Sequence, residues 1–167
     1  IDGYTQPGTG ANSAAEGSNA VLRIELNGAS AGASASGLRL AAGSAGSTIQ
    51  GLVINRFSQG SGIKVESANN LVRGNLIGVD PTGMLARPND TGIELSSGAG
   101  GTRIGGAAAA DRNLLSANVY AGIYGSAVGG GAVIQGNAIG TNAAGAPALG
   151  NGTYGVVIAH GATGILV

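Results

Sequence analysis

A short motif, glycine followed by a branched apolar residue, recurs along the 167-residue chain and constrains the fold more than any other feature. Its copies begin at Gly37, Gly62, Gly92, Gly122 and Gly155, so the intervals run from 25 to 33 residues. The second copy continues as Ile63-Lys64-Val65-Glu66, which alternates apolar and polar residues. A period of two is typical of a β-strand, and a repeat of about 20 to 50 residues is typical of a solenoid.

Two further apolar runs occupy the rest of each repeat. One is found at Gly51-Leu52-Val53-Ile54, Gly74-Asn75-Leu76-Ile77, Arg112-Asn113-Leu114-Leu115 and Gly136-Asn137-Ala138-Ile139. The other precedes it, at Thr48-Ile49-Gln50, Leu71-Val72-Arg73, Arg103-Ile104-Gly105, Val133-Ile134-Gln135 and Gly164-Ile165-Leu166. Runs this short cannot be helices, which need at least about 10 residues. Each repeat is therefore expected to contain three short strands.

These patterns predict an all-β fold, a right-handed single-stranded parallel β-helix of about five coils with three short strands per coil. Residues 1–167 are expected to form a single β-helix domain. An antiparallel β-sandwich is the alternative. It would not place the same residue type at the same position of every repeat, and it would need tight hairpins between alternating strands.

The repeats also predict which side chains stack from coil to coil. One inward column is expected to contain Leu38, Ile63, Ile93, Ile123 and Val156, and another Ile49, Val72, Ile104, Ile134 and Ile165. An outward column is expected to contain Arg39, Lys64, Glu94, Tyr124 and Val157. Within it, Lys64 and Glu94 predict a cross-strand ion pair on a solvated face. A common turn position predicts an amide ladder of Asn75, Asn113 and Asn137.

Composition excludes several classes of protein and partner. Eight basic residues balance eight acidic ones, which gives no electrostatic basis for binding nucleic acid or an anionic membrane. No apolar stretch approaches the roughly 18 residues of a membrane-spanning helix. The absence of cysteine excludes disulfides, and only 10% of the residues are charged.

Three strings carry a resemblance to a known family. They are Ile1-Asp2-Gly3-Tyr4-Thr5-Gln6-Pro7-Gly8, Ile77-Gly78-Val79-Asp80-Pro81-Thr82-Gly83, and Ile104-Gly105-Gly106 with Asn113-Leu114-Leu115-Ser116-Ala117-Asn118. The chain resembles the parallel β-helix repeat segments of large secreted microbial surface proteins, within the pectin-lyase-like superfamily. The resemblance implies the fold and a secreted or cell-surface location. It does not choose an activity, because that superfamily includes lyases, hydrolases, adhesins and passive stalks.

No catalytic constellation is evident among the acidic residues. A glycosidase needs two carboxyl groups about 5–9.5 Å apart, and only Glu66 and Glu94 lie in adjacent repeats at similar positions. His160, the only histidine, falls in a turn without an acidic partner nearby. We therefore predict no catalytic residues, no enzymatic activity and no cofactor.

Three other groups of residues are candidates for binding or modification. Tyr120, Tyr124 and Tyr154 are expected near one strand position, where they are candidate sugar contacts. Asn89 and Asn151 begin N-x-[ST] sequons and are candidate N-glycosylation sites. Asp80, Asn89 and Asp90 offer oxygen ligands, but their spacing does not match a calcium loop, so no metal site is predicted.

The first and last residues fit the same strand position, and neither end resembles a polar cap. An uncapped end coil exposes apolar side chains and unpaired strand edges. The chain is therefore expected either to be a piece of a longer solenoid or to stack head to tail with itself. The expected subunit interface contains Ile1, Leu22, Ile24, Val156, Ile158, Ile165, Leu166 and Val167.

Three functions follow from this sequence, in order of preference. The first is a secreted structural subunit that stacks into an extracellular filament or forms part of a rigid solenoid stalk, with itself as partner. The second is a carbohydrate-binding or adhesive surface module with a polysaccharide partner. The third is a polysaccharide lyase or glycoside hydrolase, against which the scattered acids argue.

Overall fold

The computed structural model describes all residues, Ile1–Val167, and contains three parallel sheets. Sheet I has the spatial order β1 (Ile24–Asn27), β4 (Leu52–Asn55), β7 (Leu76–Ile77), β10 (Leu114–Leu115) and β13 (Ala138–Ile139). Sheet II has the order β2 (Leu38–Leu40), β5 (Ser61–Val65), β8 (Thr91–Leu95), β11 (Ala121–Ser126) and β14 (Tyr154–Ala159). Sheet III contains β3 (Thr48–Gln50), β6 (Leu71–Arg73), β9 (Arg103–Gly105) and β12 (Val133–Gln135).

Each strand pairs with the strand three elements later in the chain, so every circuit of the backbone adds one strand to each sheet. Five circuits account for the three sheets of five, five and four strands. Two short 3-10 helices, Gly3–Thr5 and Ala109–Asp111, are the only helical elements. The predicted parallel β-helix with three strands per coil is confirmed.

The stacking columns have the predicted register in both sheets that define them. In sheet II, Ile93 pairs with Ile63 on one side and with Ile123 on the other. In sheet III, Ile104 pairs with Val72 and with Ile134. These side chains belong to one continuous apolar cluster, in which Ile63, Ile93 and Ile123 are fully buried. The core is therefore a central stack of branched apolar side chains along the solenoid axis.

The last strand position departs from the predicted register by two residues. Leu166 pairs with Val133, which places Ile165 opposite Ala132 and not opposite Ile134. The hydrogen bonds fix this shift, because Leu166 N–H donates to the carbonyl of Ala132 over 3.0 Å. Ile165 still packs against the main cluster, although half-exposed.

The first two residues occupy the expected position beside sheet III. Asp2 forms a parallel bridge with Gln50, and Gln50 N–H donates to the carbonyl of Ile1 over 3.1 Å. The terminal ammonium of Ile1 donates to the carbonyl of Thr48 over 2.6 Å. Sheet III thus gains a single bridge at each of its two edges.

Residues 3–23 leave the coils and form a strap along the outer face of sheet I. The Tyr4 hydroxyl donates to the carbonyl of Gly74 over 2.8 Å, in the turn before β7. Farther along, Ser18 N–H donates to the carbonyl of Ala143 over 2.7 Å, in the loop after β13. The strap therefore crosses several coils in the direction of the axis before the chain enters β1.

The strap creates a second apolar cluster that the repeat pattern does not predict. Leu22 is only 6% exposed and packs with outward-facing Val53, Leu76 and Leu114 of sheet I. Leu22 was predicted at the subunit interface, whereas within the chain it is buried by the strap against the side of the solenoid.

The glycine of the recurring motif is explained by close approach between coils. A Cβ atom on Gly92 would overlap the carbonyl oxygen of Gly122, and Gly37, Gly62 and Gly122 each meet the carbonyl of the next motif glycine in the same way. No side chain larger than hydrogen fits at this corner without separating two paired strands.

Replacing Gly92 by Ala is therefore expected to lower the free energy of unfolding by about 2–3 kcal/mol, as overpacking against rigid backbone does. The control is Gly129→Ala, because a Cβ there has no atom within 4 Å. Thermal unfolding followed by circular dichroism measures both. Equal melting temperatures for the two variants would contradict the close-approach explanation.

Candidate functional site

The first coil leaves one edge of each sheet open. β1 and β2 have a neighbour on one side only, and the Ile1–Asp2 segment is the last element of sheet III at this end. Ile24 and Leu26 are inward-facing members of the core, yet both are only partly buried. Ile1 is 64% exposed. The first coil therefore combines unpaired backbone groups with incompletely covered apolar side chains.

The last coil has the same character. β13 and β14 are edge strands, and Ile139 and Val156 are partly buried members of the core. Ile158 pairs with Gly125 at the end of the inward column that contains Leu40, Val65 and Leu95, and it is 38% exposed. Leu166 and Val167 are 66% and 71% exposed. Seven of the eight predicted interface residues thus lie on exposed or half-buried positions near the two ends.

The outer face of sheet II carries the densest group of charges in the molecule. Lys64 Nζ lies 3.0 Å from Glu94 Oε1, which confirms the predicted cross-strand ion pair. Lys64 also lies 3.8 Å from Glu66 Oε1, and Arg39 Nε donates to Glu66 Oε2 over 2.7 Å. Two cations and two anions are therefore linked in one network.

Glu94 stays ionised in this network. Partial burial alone raises its pKa, but hydrogen bonds from Ser61 and Lys64, with the positive charge of Lys64, outweigh that effect. The pKa of Glu94 is consequently held below its ordinary value. A general acid of a glycosidase needs the opposite, a carboxyl with a raised pKa. Glu94 therefore has the electrostatics of a carboxylate in a structural ion pair with Lys64.

The three candidate tyrosines are brought together on the same outer face. The ring centroids of Tyr120 and Tyr124 are 6.0 Å apart, and those of Tyr120 and Tyr154 are 5.7 Å apart, both in edge-to-face geometry. Tyr124 follows Lys64 and Glu94 in the outward column. The charged network and the tyrosines thus form one strip along the axis, which we call the outer strip.

The two sequons belong to a second asparagine ladder that the sequence analysis missed. Asn89 Nδ2 donates to Asn118 Oδ1 over 3.0 Å, and Asn118 Nδ2 donates to Asn151 Oδ1 over 3.0 Å. Asn89 is fully buried and also donates to the carbonyl of Ile54. Its amide has no room for a glycan in the fold. Asn151, at the end of the ladder, is half-exposed and donates to the carbonyl of Leu115.

A sequence signal for this second ladder exists. Asn89, Asn118 and Asn151 each precede the motif glycine by three or four residues, which is a repeated position. The first ladder has the predicted members: Asn75 Nδ2 donates to Asn113 Oδ1, and Asn113 Nδ2 donates to Asn137 Oδ1.

The remaining candidates have local roles. Asp80 accepts hydrogen bonds from the backbone of Met84 and Leu85 and from the Thr82 hydroxyl, within its own loop. Burial raises the pKa of Asp80, but these bonds outweigh it and lower that pKa. His160 is exposed and has a φ of 52°, as a turn residue would. No group of three or more His, Asp or Glu side chains is arranged to hold a metal ion.

Two open grooves on sheet III flank an ion pair between Arg73 and Asp111, whose Nη1 and Oδ1 atoms are 2.9 Å apart. Their volumes are about 390 and 510 Å³. The smaller groove is closed on one side by strap residues that include Tyr4 and Thr9. Burial is the main cause of the raised pKa of Tyr4, so this phenol is neutral.

These observations define the class of the molecule as a parallel β-solenoid with three strands per coil. Comparison with protein-family models, with curated proteins and with solved structures finds no match. The resemblance to pectin-lyase-like surface proteins therefore stays a prediction. None of the helical elements is long and apolar enough to cross a membrane.

Proposed function

We propose that this chain is a secreted structural subunit that stacks end to end, as a segment of a rigid extracellular β-solenoid. One observation carries the proposal: both end coils present open parallel strand edges together with half-buried apolar side chains. All strands run parallel. The last coil of one copy can therefore pair with the first coil of a second copy in the same geometry as two successive coils of one chain.

Burial supplies the driving force for stacking. Across a joint, Ile24 and Leu26 of β1 would meet Ile139 of β13 in sheet I, and Leu38 of β2 would meet Val156 of β14 in sheet II. Ile158, next to Val156 on the inward face of β14, is 38% exposed and would be covered as well. At about 25 cal/mol per Å², a few hundred Å² of apolar area contributes several kcal/mol before association entropy is subtracted. Backbone hydrogen bonds across the three sheets would fix the direction and the register.

The contact joins two different surfaces, so it is heterologous. Heterologous contacts that do not close into a ring produce open filaments. The proposed joint is mainly apolar, and salt screens only charge–charge interactions. Assembly is therefore expected to persist in about 1 M sodium chloride.

Replacing Ile158 by Lys is expected to prevent stacking, because a charged side chain then lies in the joint. The fold should survive, since Ile158 is already 38% exposed and a lysine can extend into solvent at the open end. Sedimentation velocity over a range of protein concentrations measures the effect, with wild-type chain forming large species and the variant remaining monomeric.

The matched control is Leu85→Lys, which places the same charge on a 54% exposed leucine in the loop between β7 and β8, on the side of the solenoid. This variant should assemble as wild type does. Equal sedimentation of wild type and Ile158→Lys would contradict the proposed interface.

A further inference from the structure

The outer strip carries no net charge at neutral pH, because its ionised groups neutralise one another. Arg39 and Lys64 are matched by Glu66 and Glu94 in the network described above. An open groove of about 360 Å³ next to this network is lined only by polar residues, among them Ser34 and Ser36. The charged half of the strip therefore offers fixed hydrogen-bond donors and acceptors. Because its charges cancel, it has no net electrostatic attraction for an ionic ligand.

The tyrosine half of the strip offers aromatic surface and free hydroxyl groups. Tyr154 is 46% exposed, and the half-buried Tyr120 packs edge to face against both Tyr154 and the half-buried Tyr124. None of these three hydroxyls hydrogen-bonds within the chain, whereas the Tyr4 hydroxyl donates to the carbonyl of Gly74. Tyrosines with an apolar ring and an unpaired hydroxyl are suited to ligands with both C–H faces and hydroxyl groups.

The strip is long and regularly spaced. Arg39, Lys64, Glu94, Tyr124 and Val157 pair directly from β2 through to β14. Five coils at about 4.8 Å each place the first and last of these residues roughly 19 Å apart. An extended ligand of several repeating units could contact successive coils, whereas a single small molecule would use only one part of the strip.

We propose that the outer strip is a binding site for a neutral oligosaccharide that lies along the solenoid axis. Sugar C–H faces pack on Tyr124 and Tyr154, and sugar hydroxyls hydrogen-bond to Glu66, Glu94 and Lys64. The balanced charges argue against an acidic polysaccharide, which would need an excess of cations. The site lies within one copy of the chain and does not depend on the proposed stacking.

Intrinsic fluorescence tests this proposal directly, because the chain has no tryptophan and only four tyrosines, three of them in the strip. The probes are two neutral hexasaccharides, cellohexaose and mannohexaose, and one acidic hexasaccharide, hexagalacturonate. We expect a saturable change with at least one neutral probe, unaltered by added salt. Calorimetry reports the same binding without relying on a fluorophore.

Tyr124→Ala is expected to weaken binding of the neutral probe about tenfold or more, in line with truncation of a central aromatic contact. The matched control is Tyr4→Phe, which alters a tyrosine in the strap and should leave the affinity unchanged. Three results would each overturn the proposal: no saturable binding of either neutral probe, saturation by the acidic probe alone, or equal affinity of wild type and Tyr124→Ala. These experiments measure the affinity of a site that lies within a single chain. None of the three results therefore tests whether copies of the chain stack.

Discussion

Replacing Ile93 by Asp is expected to remove a large share of the free energy of unfolding. Ile93 is fully buried and stacks between Ile63 and Ile123 at the middle of the core column. An aspartate there either buries an unpaired charge or forces the coils apart, and we expect a loss of roughly 4 kcal/mol or more. Total stability of a domain this size is about 5–15 kcal/mol, so this loss is a large share of it.

The control is Ile93→Val, which removes one methyl group and is expected to cost about 1 kcal/mol. Urea unfolding monitored by circular dichroism gives both values. If Ile93→Asp unfolds at the same urea concentration as Ile93→Val, the side chain does not lie in a dry column and the packing scheme is wrong.

Replacing Asn113 by Leu is the second substitution with a large expected effect. Asn113 Oδ1 accepts from the backbone N–H and from Nδ2 of Asn75, both over 3.0 Å. Its Nδ2 donates to the carbonyl of Val72 and to Asn137 Oδ1, both over 2.9 Å. Leucine has a similarly branched side chain but leaves several buried polar groups unpaired, at about 1–3 kcal/mol each. We expect a total loss of about 3–5 kcal/mol.

The same substitution at Asn137 provides the comparison, because Asn137 is the half-exposed end of the ladder. Water can replace part of its hydrogen bonding, so Asn137→Leu should cost clearly less than Asn113→Leu. Thermal melts of the two variants decide the matter. An equal loss at both positions would mean that burial along the ladder does not set its energetic importance.

Local repetition made the coil architecture predictable. Each copy of the motif places a branched apolar residue, such as Ile63 or Ile93, at the same inward-facing position of its strand. Parallel stacking then places the equivalent residues of adjacent coils next to one another. The ion pair between Lys64 and Glu94 followed from the same register. The ladder through Asn113 followed from a shared turn position.

The strap was not predicted because it occurs once and has no repeat to reveal it. A signal was nevertheless present in sheet I, where Leu76-Ile77 and Leu114-Leu115 put apolar residues on both faces of a two-residue strand. Strands covered on both faces read as continuous apolar runs. Such runs imply that something covers the outer face, and residues 3–23 do so.

The shift at Ile165 and the burial of Asn89 had different causes. The register of the last strand position follows from the turn at Gly164, which has a φ of 62° and lies two residues before Leu166, just as Gly131, with a φ of 90°, lies two residues before Val133. Asn89 was interpreted through its sequon, whereas its repeated position before Gly92 indicates a ladder. In both cases a match to a motif of three residues was less informative than the position of the residue within the coil.

The most direct test of the stacking proposal is electron cryo-microscopy of the purified wild-type chain at high concentration. We expect unbranched filaments in which each copy adds five coils, which corresponds to an axial rise of about 24 Å per subunit at about 4.8 Å per coil. The density should show three continuous sheets crossing each joint, with Ile158 facing the first coil of the next copy. A uniform population of single 15.8 kDa particles, with both end coils exposed to solvent, would contradict the proposal.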